Sequence, residues 1–185
     1  MSIVERVSVI GTSGSGKTTL ARSLAIGLEI PHLELDSVFH QPGWVQLPDP
    51  EFRERIADFI RGDRWVVDGN YTSHGVSDLV WPRADTIIWL DLPRPTVMRQ
   101  VTARTIGRAV RRAELWNGNR EPFRNFFDPR PEQNIVLWAW TRHTANRRKF
   151  EDIARGGSWS HATVHRLRSR NEVDRFLDQL QGHRR

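Results

Sequence analysis

A chain of 185 residues, 38% hydrophobic and 27% charged, fits one domain with a substantial core and excludes a disordered or membrane-embedded polymer. The formal charge of +6 suits anionic partners such as nucleotides, phosphorylated metabolites or nucleic acid, and does not choose among them. Cysteine is absent, so disulfides and thiolate metal sites are excluded. Met1 to Arg6 lacks a secretion-signal layout and no apolar run approaches roughly 18 residues, so a cytoplasmic location without a membrane partner is expected.

Val7 to Ile10 reads as a first strand that runs directly into glycine. After it, Leu20, Ala21, Leu24, Ala25 and Leu28 fall on one helical face. His32 to Leu35 follows as a short second strand closed by Asp36, and residues 50–61 give a helix with Phe52, Ile56, Phe59 and Ile60 on one side. Trp65 to Asp68 and Thr86 to Asp91 read as buried strands, each closed by an aspartate. Residues 94–112 are helical in pattern and arginine-rich. Gly118 to Pro131 reads as a mobile loop. A long helix is expected from Glu132 to about Ile153, a fifth strand over Ala162 to Leu167 and a last helix over Glu172 to Leu180. Such alternation predicts an α/β domain with a parallel sheet covered on both faces, and ligands at the carboxyl ends of its strands: Gly11, Asp36, Asp68 and Asp91.

Gly11-Thr12-Ser13-Gly14-Ser15-Gly16-Lys17-Thr18 matches the G-x-x-x-x-G-K-[ST] phosphate-binding loop, with a strand before it and an amphipathic helix after it. Its glycines let backbone N–H groups converge on phosphate oxygens, and the helix aims its positive end at the same anion. Gly11, Ser13, Gly14, Ser15, Gly16, Lys17, Thr18 and Thr19 are therefore the candidate nucleotide-binding residues. Lys17 would neutralise the outer phosphates and the Thr18 hydroxyl would ligate magnesium, with ATP and Mg2+ the expected ligands. A guanine-reading N-K-x-D sequence is absent, which argues against a regulatory GTPase.

The loop, Leu33-Glu34-Leu35-Asp36, Pro42-Gly43-Trp44, Trp65 to Tyr71, Thr86 to Asp91 and Leu167-Arg168-Ser169 occur in an order and spacing that resembles the adenylate-kinase-like topology modulation proteins. The resemblance covers nearly the whole chain, and Asp68-Gly69-Asn70-Tyr71 is what narrows it to this group. It implies a P-loop NTPase fold of the nucleoside-monophosphate-kinase type: five parallel strands in the order 2-3-1-4-5, an acceptor-binding region over 36–64 and a lid over 104–131. It also places Asp68 near magnesium, Asp36 at the acceptor, Arg104 and Arg108 at the start of the lid, and Arg142, Arg147 and Arg148 on the helix returning from it. Asp68-Gly69 continues as Asn70-Tyr71 rather than the Phe-Pro-Arg of adenylate kinases, so an arginine that would grip an acceptor monophosphate is missing there.

Between Arg94 and Lys149 there are 13 basic and four acidic residues. Phosphoryl transfer needs cations that close on the transferring group, and Arg142, then Arg104 and Arg108, are the candidates. The same arginines could be solvated helix faces or a nucleic-acid surface. Lys17, Asp36, Arg104, Arg108 and Arg142 form the candidate catalytic set, with Thr18 and Asp68 for the metal. The expected function is ATP-dependent phosphoryl transfer to a small acceptor, a nucleotide or a hydroxyl-bearing metabolite. The alternative is a P-loop ATPase acting on or regulated by nucleic acid.

Overall fold

The computed structural model describes residues 4–111, 114–120, 125, 127–131 and 133–182. Strands β1 (Arg6–Gly11), β2 (His32–Glu34), β3 (Trp65–Asp68), β4 (Thr86–Leu90) and β5 (Thr163–Leu167) form one sheet in the order β2-β3-β1-β4-β5. Every pairing is parallel. The expected strand order is the observed one. Because β1 has β3 on one side and β4 on the other, successive connections leave it in opposite directions and open a crevice at its carboxyl end.

Strand periodicity sorts the core into two layers. Val7, Val9, Val66, Ile88 and Leu90 face α1 (Lys17–Leu28) and α7 (Arg170–Gly182). On the other face Ile10, Val67, Ile87 and Trp89 pack with Phe52 and Ile56 of α3 (Asp49–Phe59), Val80 of α4 (Ser77–Val80) and Phe150 of α6 (Ile135–Arg155). Helix α2 (Leu35–Phe39) joins this second layer through Leu35 and Phe39, and α5 (Arg94–Arg111) packs against α6.

Local chemistry sets the helix ends. The Asn134 side chain accepts from the N–H groups of Val136 and Leu137, both at 3.1 Å, so α6 begins at Ile135 rather than Glu132. Ser169 Oγ accepts from Glu172 N at 3.2 Å, which starts α7 at Arg170, earlier than the apolar period alone predicts.

Three expectations are corrected. The second strand ends at Glu34; Asp36 sits in the first turn of α2, whose start is pinned by Ser37 Oγ donating to Glu34 O at 2.7 Å. Asp91, just past β4, does not face the ligand crevice as an available carboxylate. It is buried and accepts from Arg166 Nε and a terminal guanidinium nitrogen at 2.9 and 2.7 Å, with Arg147 beside it. Finally, Glu114 to Arg120 is docked rather than loose. Asn119 is buried, accepts from Trp44 N and donates to Gln41 O, both at 2.9 Å, while Asn117 donates to the carbonyls of Ser37 and His40. Residues 112–113, 121–124 and 126 of the expected lid lie outside the described residues.

Candidate phosphate-binding site

The loop from Gly11 to Gly16 joins the end of β1 to α1, and its backbone is shaped by what surrounds it. A Cβ on Gly11 would sit 2.7 Å from Leu90 O, and one on Gly14 would sit 2.6 Å from Val101 Cβ of α5. Both positions also have φ in the left-handed range, +150° and +83°, so only glycine fits. Helix α1 has Gly16 as its N-cap, no side-chain cap and no acidic residue in its first turn. Its first N–H groups therefore point into the crevice without a side-chain partner, where an anion can take them.

Lys17 leaves the first turn of α1 and folds back over the loop, donating to Gly11 O at 2.9 Å and Thr12 O at 3.2 Å. The residue as a whole is half-buried, and desolvation dominates at its ammonium. Burial lowers its pKa, Asp36 and Asp68 act in the opposite direction, and Arg104 adds to the lowering. An arriving phosphate would relieve that desolvation by supplying a counter-charge.

Beside Lys17, the Thr18 hydroxyl lies 3.1 Å from Asp68 Oδ1 and 3.2 Å from Glu34 Oε1. One hydroxyl proton can serve only one of these oxygens at a time. Glu34 also accepts from Arg22 at 2.9 Å, and His32 Nε2 is 2.7 Å from Asp68 Oδ2. The donor set is thus all oxygen, which suits a hard cation such as Mg2+. Among the described residues no group of three or more His, Cys, Asp or Glu could hold a metal unaided. Mg2+ commonly binds through one or two carboxylates plus phosphate oxygens.

One turn supports all of this. Gly69, Asn70 and Tyr71 follow β3 directly. Asn70 Oδ1 accepts from Gly11 N at 3.1 Å and its Nδ2 donates to Gly11 O at 2.9 Å, while the Tyr71 hydroxyl donates to Asp36 Oδ1 at 2.7 Å. A single tetrapeptide, Asp68 to Tyr71, therefore touches Thr18, the loop's first residue and Asp36.

The expected residues divide. Lys17, Thr18, Asp36 and Asp68 converge, and Arg104 is close enough for its charge to act on Lys17. Arg108 and Arg142 have their guanidinium groups over Trp116 and Trp138, at 6.0 and 4.6 Å from the ring centroids. Ser13 is half-buried, Ser15 is buried and Thr19 is exposed. Arg147 is taken up in the ion pairs with Asp91 and Glu151.

Sequence reasoning gave no role to Glu34, His32, Asn70 or Tyr71. A signal existed for the first two: in β2 they are two residues apart and so share one face of the strand. Trp44, His40 and Trp116 form a further aromatic group, with centroids 5.3 Å apart for His40 and Trp44 and 5.8 Å for His40 and Trp116.

No protein-family profile matches the chain. Over nearly its whole length it superposes on the shikimate kinase of Bacteroides thetaiotaomicron, with 15% identity, 97% of each chain covered and a TM-score of 0.52. The shikimate kinase of Acinetobacter baumannii, solved in complex with shikimate, gives 16% identity, 97% of this chain, 94% of that one and a TM-score of 0.51. At this identity the likeness establishes the fold: an adenylate-kinase-like P-loop domain. A curated relative, the cytidylate kinase of Nitratidesulfovibrio vulgaris (strain DP4), is 42% identical over 60 residues. That match takes in 29% of this chain and 26% of the relative, so the chain spans about a quarter of the length of the curated protein it matches.

Proposed function

We propose that the protein transfers the terminal phosphoryl group of ATP to a small-molecule acceptor. The observation that carries this reading is the convergence of Lys17 Nζ, the Thr18 hydroxyl and the carboxylates of Asp68 and Asp36 at the mouth of a glycine loop. The names of its relatives, shikimate and cytidylate kinases, support the reaction class. The Asp68 to Tyr71 segment supports a closer kinship with the topology modulation proteins.

In this reading the loop N–H groups of Gly14 to Thr19 and Lys17 hold the phosphates. Thr18 and Asp68 would hold Mg2+, which would neutralise charge on the outer phosphates. Asp36 orients the acceptor from the region 36–64. Arg104, whose charge acts on Lys17, is the first cation to meet the transferring group. Arg108 and Arg142 join it if the region 104–131 closes, which requires them to leave Trp116 and Trp138.

The experiment is a screen of nucleosides, nucleotides, sugars and hydroxy acids for acceptor-dependent ADP release with MgATP. Release that rises with one acceptor class and disappears in Lys17→Ala supports the reading. ATP turnover unchanged in Lys17→Ala contradicts it.

A further inference from the structure

Tyr71 is the only tyrosine in the chain and sits at an unusual place. Its backbone is left-handed, with φ 35° and ψ 37°, a conformation a bulky residue adopts only when its surroundings impose it. The impositions are visible. Asn70 is clamped to Gly11 by two hydrogen bonds, and the Tyr71 ring is wedged against Phe39 and Phe52 at centroid distances of 4.9 and 5.0 Å. Held this way, the hydroxyl reaches Asp36 Oδ1 at 2.7 Å.

The direction of that bond is fixed by its setting. Burial pushes the Tyr71 phenol well above its ordinary range, and the charges acting on it, Asp36, Glu34 and Asp68, are all negative and push the same way. The phenol therefore keeps its proton and donates it, and Asp36 is the acceptor of the pair.

We infer that Tyr71 is a positioning residue that aims Asp36 at the acceptor, and that the reacting group of the acceptor is a hydroxyl rather than a phosphate. This rests on the kinase reading above. With Oδ1 occupied by the Tyr71 proton, Oδ2 is left as an oxygen that can only accept, and the partner it selects must bring a proton. An alcohol does. A phosphate monoester at neutral pH brings mainly bare anionic oxygens, which Asp36 Oδ2 repels, and the cations beside Asp36, Lys17 and Arg104, are engaged in the proposed reaction by the phosphates of ATP. In the Asp-Gly-Phe-Pro-Arg pattern the arginine falls where this chain has Thr72, whose hydroxyl accepts from Lys149 at 2.6 Å and brings no charge of its own. In the transfer, the acceptor oxygen forms a bond to the terminal phosphorus of ATP. The bond from that phosphorus to the bridging oxygen breaks, its electron pair leaving with ADP. The acceptor proton passes to Asp36 Oδ2 and then to solvent.

Two measurements on the full-length protein test this. The first is a spectrophotometric titration at the tyrosinate band, with the fold followed in parallel by circular dichroism. The single tyrosine makes it unambiguous. In the native protein ionisation should begin only above the ordinary phenol pKa of about 10, or only as the fold is lost; in Asp36→Asn it should move to lower pH. Ordinary titration in the folded native protein, or no movement in Asp36→Asn, overturns the positioning role.

The second compares cytidine with CMP and adenosine with AMP as acceptors under MgATP. Phosphorylation of a nucleoside in preference to its monophosphate, with kcat about tenfold lower in Tyr71→Phe and the KM for ATP unchanged, supports the inference. Faster turnover of either monophosphate overturns the acceptor class while leaving the kinase reading intact. If neither member of a pair is used, the titration still decides the role of Tyr71, and loss of MgATP binding itself would count against the kinase reading instead.

Discussion

Asn70 holds Gly11 by both of its backbone groups, accepting from its N–H at 3.1 Å and donating to its carbonyl at 2.9 Å. A side-chain amide here imitates the pairing of a neighbouring strand, at the point where β1 and β3 diverge and their own ladder stops at Val9 and Asp68. The first residue of the phosphate loop is thereby fixed before any ligand arrives. Asn70→Ala should cost about 1–3 kcal/mol of stability and weaken MgATP binding. Asn70→Asp keeps the acceptor but adds a negative charge beside the phosphates, so it should weaken MgATP further than its effect on folding. Urea unfolding and calorimetric titration of both variants, side by side, check this ordering.

Gly14 and Val101 define a second contact, between the loop and α5. Gly14→Ala should destabilise by about 1–3 kcal/mol, because the new Cβ meets Val101 Cβ at 2.6 Å and the backbone is left-handed. Adding Val101→Gly, which removes the Cβ that is met, should recover the steric part alone, whereas Val101→Ala keeps that atom and should not. A double-mutant cycle that shows no coupling would place the cost wholly in the backbone.

Asp91→Ala should cost about 3 kcal/mol, since it leaves Arg166 without the buried half of its ion pair. MgATP affinity should be nearly unchanged. This variant separates the two strand-end aspartates: Asp68→Ala should instead spare more stability and lose magnesium-dependent binding.

Asn119→Ala removes the hydrogen bonds that pin the 114–120 segment to Gln41 and Trp44. The expected cost is about 2 kcal/mol locally, and tryptic cleavage at Arg120, which is exposed, should accelerate severalfold without ligand. Unchanged cleavage would show that the segment is held by its aromatic contacts with His40 and Trp44 instead.

Much of the fold was legible because parallel strands buried on both faces are uninterrupted apolar runs, such as Thr86 to Leu90 and Trp65 to Val67, and these stand out against amphipathic helices. The phosphate loop was legible because its glycines and Lys17 are required by local geometry and charge. What stayed hidden depended on contacts distant in sequence. Asp36 and Asp91 look alike as aspartates after apolar runs, and only the approach of Arg166, from a strand 75 residues further on, makes one of them structural. Asn117 and Asn119 look like ordinary turn residues until the backbone of residues 37–44 is seen beneath them. Tyr71 gave no sign of its strained backbone, which is imposed by the neighbours it packs against.

The central claim is that Gly11 to Thr18 deliver the terminal phosphoryl group of ATP to an acceptor. The most direct measurement follows ATP labelled at that group, incubated with magnesium and the acceptor panel, in the native protein and in Lys17→Ala. The account predicts label appearing on a hydroxyl-bearing acceptor with the native protein, and transfer reduced by at least about a hundredfold in Lys17→Ala. Equal transfer by the two proteins, or label reaching an acceptor only in a reaction insensitive to magnesium, would contradict it.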